Sequence, residues 1–164
     1  MSITLLIILF HRKIMAAPLI RKGMILLTIA YVSVALNKLF LPIYYQPSFI
    51  DFMRVDPNFH LSLTINLVPL IKMNSADIRN FILNIALFVP LGFLSYYFKK
   101  SWKKTLLLLV LTTVFIEIIQ FMGNYYYQFM WRIADINDLI ANCLGGLLGL
   151  AISMVFFKKQ KKKS

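Results

Sequence analysis

The sequence holds one cysteine, Cys143, and only two histidines, His11 and His60. A single thiol forms no intrachain disulfide and no cysteine-built metal cluster, and its apolar neighbours suit a packed core position. The topology derived below puts the two histidines on opposite sides of a membrane, so no histidine pair can hold a metal. A glycine-rich phosphate loop, a GxSxG elbow and an HExxH helix are all lacking. No serine or threonine sits beside a histidine. Acidic residues number six against eighteen Lys and Arg, a formal net charge of +12. Such a surplus can serve nucleic acid, but here the basic residues form runs flanking apolar segments. That is the pattern of a membrane topology signal, and nucleic acid is not an expected partner. No cofactor or metal is implied.

What is abundant is apolar. Of 164 residues, 60% are hydrophobic, and the mean hydropathy is +0.74. Soluble domains hold roughly 45–50% apolar residues, so the excess calls for a lipid solvent. A span needs about 20 mostly apolar residues. Four stretches meet this: about 24–44, 80–98, 105–122 and 139–157. Basic residues alternate with them. Arg12, Lys13, Arg21 and Lys22 precede the first, while Lys99, Lys100, Lys103 and Lys104 join the second and third. Lys158, Lys159, Lys161, Lys162 and Lys163 follow the fourth. The other two connections hold only Arg54, Lys72 and Arg79, and Arg132. The positive-inside rule then gives an all-α integral membrane bundle of four transmembrane helices with both termini cytoplasmic. Residues 1–23 read as a cytoplasmic or interfacial segment, 24–157 as the transmembrane domain and 158–164 as a basic cytoplasmic tail. The run Ile3 to Phe10 does not read as a signal peptide, because its basic group follows it.

The acidic residues show the opposite bias. Asp51, Asp56, Asp77, Asp135 and Asp138 fall in or near the outer connections, and Glu117 lies within the third span. The outer connection at 45–79 is long for a small bundle. It carries Phe49, Phe52 and Phe59, and Pro47, Pro57 and Pro69 break regular structure there. Its piece Asn66 to Leu70 reads either as a turn or re-entrant piece or as a loop on headgroups. Tyr125, Tyr126, Tyr127 and Trp131 resemble an interfacial aromatic belt.

A carboxylate within a span is costly, by about 2.5–3.5 kcal/mol at a helix centre on insertion scales. Glu117 should therefore face the bundle interior. Counted to the expected span end, it lies about 8 Å short of the outer surface at 1.5 Å per residue. Gln120, at i+3, shares its face. Asn84, about one turn below the outer surface on the second span, lies at similar depth. Asp135, Asp138 and Asn142, spaced i, i+3, i+7, form one helical stripe, with Arg132 just before them. Asp135 also suits a helix cap and Asp138 a first turn. Two accounts of the set remain: interhelical hydrogen bonding, or one buried polar site for a ligand. If catalysis occurs, Glu117, Asp135 and Asp138 are the acid–base candidates, with Arg132 available to an anion. Ala141, Gly145 and Gly149 form a small-residue stripe that lets another helix approach, widened by Gly146. Pro90 should kink the second span or free a carbonyl, with Gly92 adding pliancy.

In these residues the chain resembles the VanZ-like family of small bacterial membrane proteins. The matching pieces are Asn66-Leu67-Val68-Pro69-Leu70, the run Asn84 to Phe93 with its Phe88-Val89-Pro90-Leu91-Gly92 core, Glu117-Ile118-Ile119-Gln120-Phe121, and the run Arg132 to Gly146. They keep the family order N…FxPxGf, sxxxExxQ, RxxDixDvixNxxGxxxG over about residues 60–150. One departure is that Phe115-Ile116 precede Glu117 with no hydroxyl directly ahead, Thr113 being nearest. The resemblance implies a multi-pass protein of the bacterial cell membrane. It also implies a link to low-level resistance to the glycopeptide teicoplanin, the association of the family's namesake.

The expected function is a cell-envelope role. Asn84, Glu117, Gln120, Arg132, Asp135, Asp138 and Asn142 would engage an outer-leaflet lipid or lipid-linked cell-wall precursor. The alternatives are a membrane enzyme acting on a lipid-linked substrate, and a helper subunit that binds a membrane-protein partner.

Overall fold

The computed structural model describes residues 18–41, 43–54, 59–71, 73–129 and 132–161, with side chains through Phe157. Most of the expected N-terminal segment, Asp56, Pro57, Lys72, Trp131 and the tail side chains lie outside the described residues. The chain divides into two compact units, Met1–Ile43 and Tyr44–Ser164.

Among the described residues, the first unit holds one long helix, α1 (Leu19–Phe40). It opens five residues before the expected Met24, behind Pro18, whose fixed backbone is tolerated at a helix start. It ends at Phe40, because Leu41 precedes a proline and is extended (φ −95, ψ 149). Two of its polar side chains turn back onto their own helix. Thr28 Oγ1 donates to the Met24 carbonyl at 2.7 Å, and Asn37 Nδ2 donates to the Ser33 carbonyl at 2.6 Å. Both donors thus find their acceptor within the helix.

The second unit holds α2 (Pro47–Met53), a 3-10 turn at Leu61–Thr64, β1 (Ile65–Asn66), α3 (Ser75–Lys99), α4 (Trp102–Tyr127), β2 (Ala134–Asp135) and α5 (Ile136–Lys161). Helices α1, α3, α4 and the Ile136–Phe157 part of α5 are each long and apolar enough to cross a membrane. The four expected spans are therefore present, but their ends differ. Helix α3 starts at Ser75, not near Asn80, because of a capping box. Asn74 Oδ1 accepts from the N–H groups of Ala76 at 2.8 Å and Asp77 at 3.0 Å, and Asp77 Oδ2 accepts from Asn74 N–H at 2.9 Å. Between α3 and α4 only Lys100 and Ser101 intervene. Lys100 takes a left-handed conformation (φ 51, ψ 26) to end α3, and Ser101 Oγ accepts from Lys104 N–H at 3.5 Å to open α4.

The closest packing is between α3 and α5, which run parallel through the glycine stripe. A Cβ placed on Gly145 would lie 2.1 Å from the Ile85 carbonyl oxygen, one on Gly149 1.9 Å from that of Val89, and one on Gly92 2.0 Å from that of Gly146. No side chain fits at these positions, so backbone meets backbone as the spacing anticipates. Ser153, also on this seam, donates to the Phe93 carbonyl at 3.2 Å. Helix α3 continues as a helix through Pro90.

The long connection is more ordered than a surface loop. Arg54, just beyond α2, donates from Nε to the Tyr127 carbonyl and from Nη2 to the Tyr126 carbonyl, both at 3.0 Å. These are among the carbonyls that a helix end leaves unmatched. Ile50, Tyr127 and Phe129 form a buried cluster with Tyr44 packed on it. Tyr127 is therefore a core residue and not part of an interfacial belt, unlike the exposed Tyr125 and Tyr126. A two-residue parallel bridge joins β1 to β2, with Asn66 opposite Asp135.

Candidate functional site

The site is built where α4, the start of α5 and the 65–70 segment converge. Helix α4 runs to Tyr127, five residues past the expected Met122. The extra turn and more is held by polar contacts that hydropathy does not register. The Asn124 side chain clamps the Arg132 backbone: its amide donates to the Arg132 carbonyl, and its Oδ1 accepts from Arg132 N–H at 3.0 Å. Glu117 thus lies about 15 Å from the end of its helix, not about 8 Å. Asn84 likewise lies about 13 Å into α3, not one turn, because α3 begins earlier. The two still sit at matching levels.

From Asn124 to Glu117 the helix rises about 10 Å, and three residues of extended chain span the same distance. The backbone from Arg132 to Asp135 takes that path. It leaves the Asn124 clamp and reaches Glu117, whose Oε2 accepts from Asp135 N–H at 3.0 Å. Non-helical backbone therefore lies beside the last turns of α4, not beyond them.

Asp135 is the junction. Its Oδ1 accepts from Asn137 N–H at 2.8 Å, which is the expected cap on α5. The same oxygen accepts from Asn66 Nδ2 at 3.0 Å. Asn66 Oδ1 accepts from Val68 N–H at 3.1 Å, and Asn137 Oδ1 accepts from Leu70 N–H at 2.8 Å. Leu70 adopts φ 55, a left-handed conformation uncommon for a branched apolar residue. The Asn66–Leu70 piece is thus a turn tied to the start of α5.

Asp138, in the first turn of α5, faces the Asn84 side chain and lies within electrostatic reach of Asp135 and Arg132. Glu117 in turn lies within reach of both aspartates. One turn deeper, Asn142 Nδ2 donates to Thr113 Oγ1 at 3.0 Å, a fully internal rung. The structure therefore joins Asn84, Glu117, Arg132, Asp135 and Asp138 in one cluster and places Asn142 on the rung below. Gln120 lies buried on the Thr113–Glu117–Asn124 stripe of α4, but among the described residues no hydrogen bond joins it to the others. Among those residues, Glu117 Oε1, Gln120 Oε1 and Asn142 Oδ1 are buried without a hydrogen-bond partner. Burying a polar atom in this way is costly. No group of three His, Cys, Asp or Glu among the described residues is arranged to hold a metal ion.

Asn137, Asn124 and Thr113 also belong to this network and were not among the expected site residues. Thr113 could have been found, since it sits one turn before Glu117. The pairing of Asn137 with Leu70 has no signal in spacing alone, because it is made across separate segments.

The family model described as VanZ/LLP1 matches residues 24–157, and the chain belongs to that family. No curated protein and no solved structure matches it.

Proposed function

We propose that this VanZ/LLP1 membrane protein uses the Glu117–Asp135–Asp138 cluster to engage a polar headgroup in the outer leaflet, on a lipid or a lipid-linked envelope precursor. One observation carries the reading. Glu117 is fixed on one oxygen by Asp135 N–H, while its other oxygen is buried and unmatched. A group that served only to join helices would use both oxygens. Asn84, Gln120, Arg132 and Asn142 complete the site in this reading. By engaging such a lipid, the protein would limit access of a lipoglycopeptide to the membrane surface.

The reading places the cluster end outward and both termini in the cytoplasm of a bacterial cell. Support comes from the alternation of basic runs with four spans. In a Cys143→Ser background, Gln128→Cys should react with a membrane-impermeant thiol reagent in intact cells. In a strain whose teicoplanin susceptibility depends on this protein, Glu117→Gln and Asp138→Asn should abolish the dependence at equal expression. Unchanged susceptibility in both variants rejects the site.

A further inference from the structure

The chemistry left over at the cluster narrows the class of ligand, given that it is a ligand site as read above. Most of the donors at the cluster, leaving aside the Gln120 amide and the Arg132 guanidinium, are already committed. Asp135 N–H goes to Glu117, the Asn66 amide and Asn137 N–H to Asp135, and the Asn142 amide to Thr113, while the Asn84 side chain faces Asp138. The buried atoms left unmatched, in the cluster and on the adjoining turns, are acceptors: Glu117 Oε1, and the side-chain oxygens of Gln120 and Asn142. Gln120 and Asn142 are only 5% and 2% exposed, so water reaches them poorly. Charge points the same way. Glu117, Asp135 and Asp138 lie within reach of one another, with Arg132 as the facing cation. A phosphate brought to Glu117 Oε1 would meet three carboxylates against the single cation of Arg132.

We infer that the cluster takes a primary ammonium group, whose three N–H donors and positive charge complement unmatched acceptors beside three carboxylates. A quaternary ammonium has the same charge but no N–H. It would leave the acceptors unmatched, which separates hydrogen bonding from simple attraction. The ammonium could be carried by a lipid headgroup or by a free amine.

The test uses the purified full-length protein in nanodiscs with a phosphatidylcholine matrix, doped with phosphatidylethanolamine or phosphatidylglycerol. Lipid retention is read by native mass spectrometry. Phosphatidylethanolamine should be retained about tenfold over phosphatidylcholine, the scale of one lost charged hydrogen bond, and Glu117→Gln should remove the preference. Glutamine keeps an oxygen to accept Asp135 N–H. If that variant does not fold, the wild-type comparison of the two lipids still decides. Displacement by millimolar ethanolamine would support the ammonium chemistry with a free-amine source, and retention against it would support a lipid source. Glu117-dependent retention of phosphatidylglycerol would overturn the ammonium class and leave the site reading standing. Equal retention of all three lipids, insensitive to Glu117→Gln, would overturn both.

Discussion

Replacing Gly149 with alanine puts a methyl group where the structure has only backbone. The new Cβ would lie 1.9 Å from the Val89 carbonyl oxygen and 2.8 Å from Phe93 N. An ordinary contact begins at about 3.4 Å, so α3 and α5 must separate locally by roughly 1.5 Å. Neither obstructing atom belongs to a flexible side chain, so relief requires moving a helix. A gap of about 0.5–1 Å already forfeits a quarter to a half of the dispersion at each lost contact, and the Gly145–Ile85 and Gly92–Gly146 approaches share the seam. Overpacking costs about 1–3 kcal/mol, and the upper part of that range, about 2–3 kcal/mol, applies where the obstructing atoms are backbone. Alanine returns about 1 kcal/mol through helix propensity, leaving a net loss near 1–2 kcal/mol. For a chain of this size that is a fall of roughly 2–8 °C in Tm. The assay is thermal unfolding in detergent, followed by near-UV circular dichroism. Gly23→Ala is the control, since nothing lies within 4 Å of its Cβ position. It should leave Tm unchanged or raise it. A Gly149→Ala protein that melts at or above the wild type would refute the close approach of α3 and α5.

Arg54→Ala should release α2 from the end of α4 and speed hydrogen exchange at residues 47–54 about tenfold, because two carbonyl contacts are lost. Arg54→Lys should recover little, since one ammonium cannot reproduce the fork that meets both carbonyls. For the inner rung, Thr113→Val and Asn142→Leu should each lower Tm. The double variant should lose less than their sum, by about 0.6 kcal/mol, the usual size of such a coupling between membrane helices. Strict additivity in that cycle would show that the two side chains do not interact.

The four spans were legible because hydropathy and charge act over some twenty residues at a time. Their ends were not, because single polar side chains set them. The Asn74–Asp77 box moved the start of α3 by five residues, and the Asn124 clamp helped carry α4 past Gly123, where the apolar run stops. Both devices look like interruptions on a hydropathy scale. The stripe of Ala141, Gly145 and Gly149 was readable because helical periodicity alone puts small residues on one face. Asn84, Glu117, Asp135 and Asp138 were found because polar groups on apolar helices are costly enough to demand a common explanation. Tyr127 was misplaced for the opposite reason. Three consecutive tyrosines point in three directions on a helix, so they cannot all serve the interface, and the third turns inward against Ile50 and Phe129.

These two scales meet in the Arg132–Asp135 segment. Lipid does not tolerate non-helical backbone, which persists at membrane depth only where protein buries it or where it lines a polar space. The segment lies beside the last turns of α4, and its exposed backbone groups must be met by side chains. Asn124 meets Arg132, Glu117 meets Asp135 N–H, and β1 supplies Asn66 opposite Asp135. Much of the polarity of the cluster is therefore required by the fold. That requirement accounts for Asn124, Asn66 and Asn137, and for one oxygen of Glu117. It does not account for the second oxygen of Glu117 or for the third carboxylate at Asp138. Those two groups lie beyond what the backbone asks for, and a ligand's contribution should be measured there.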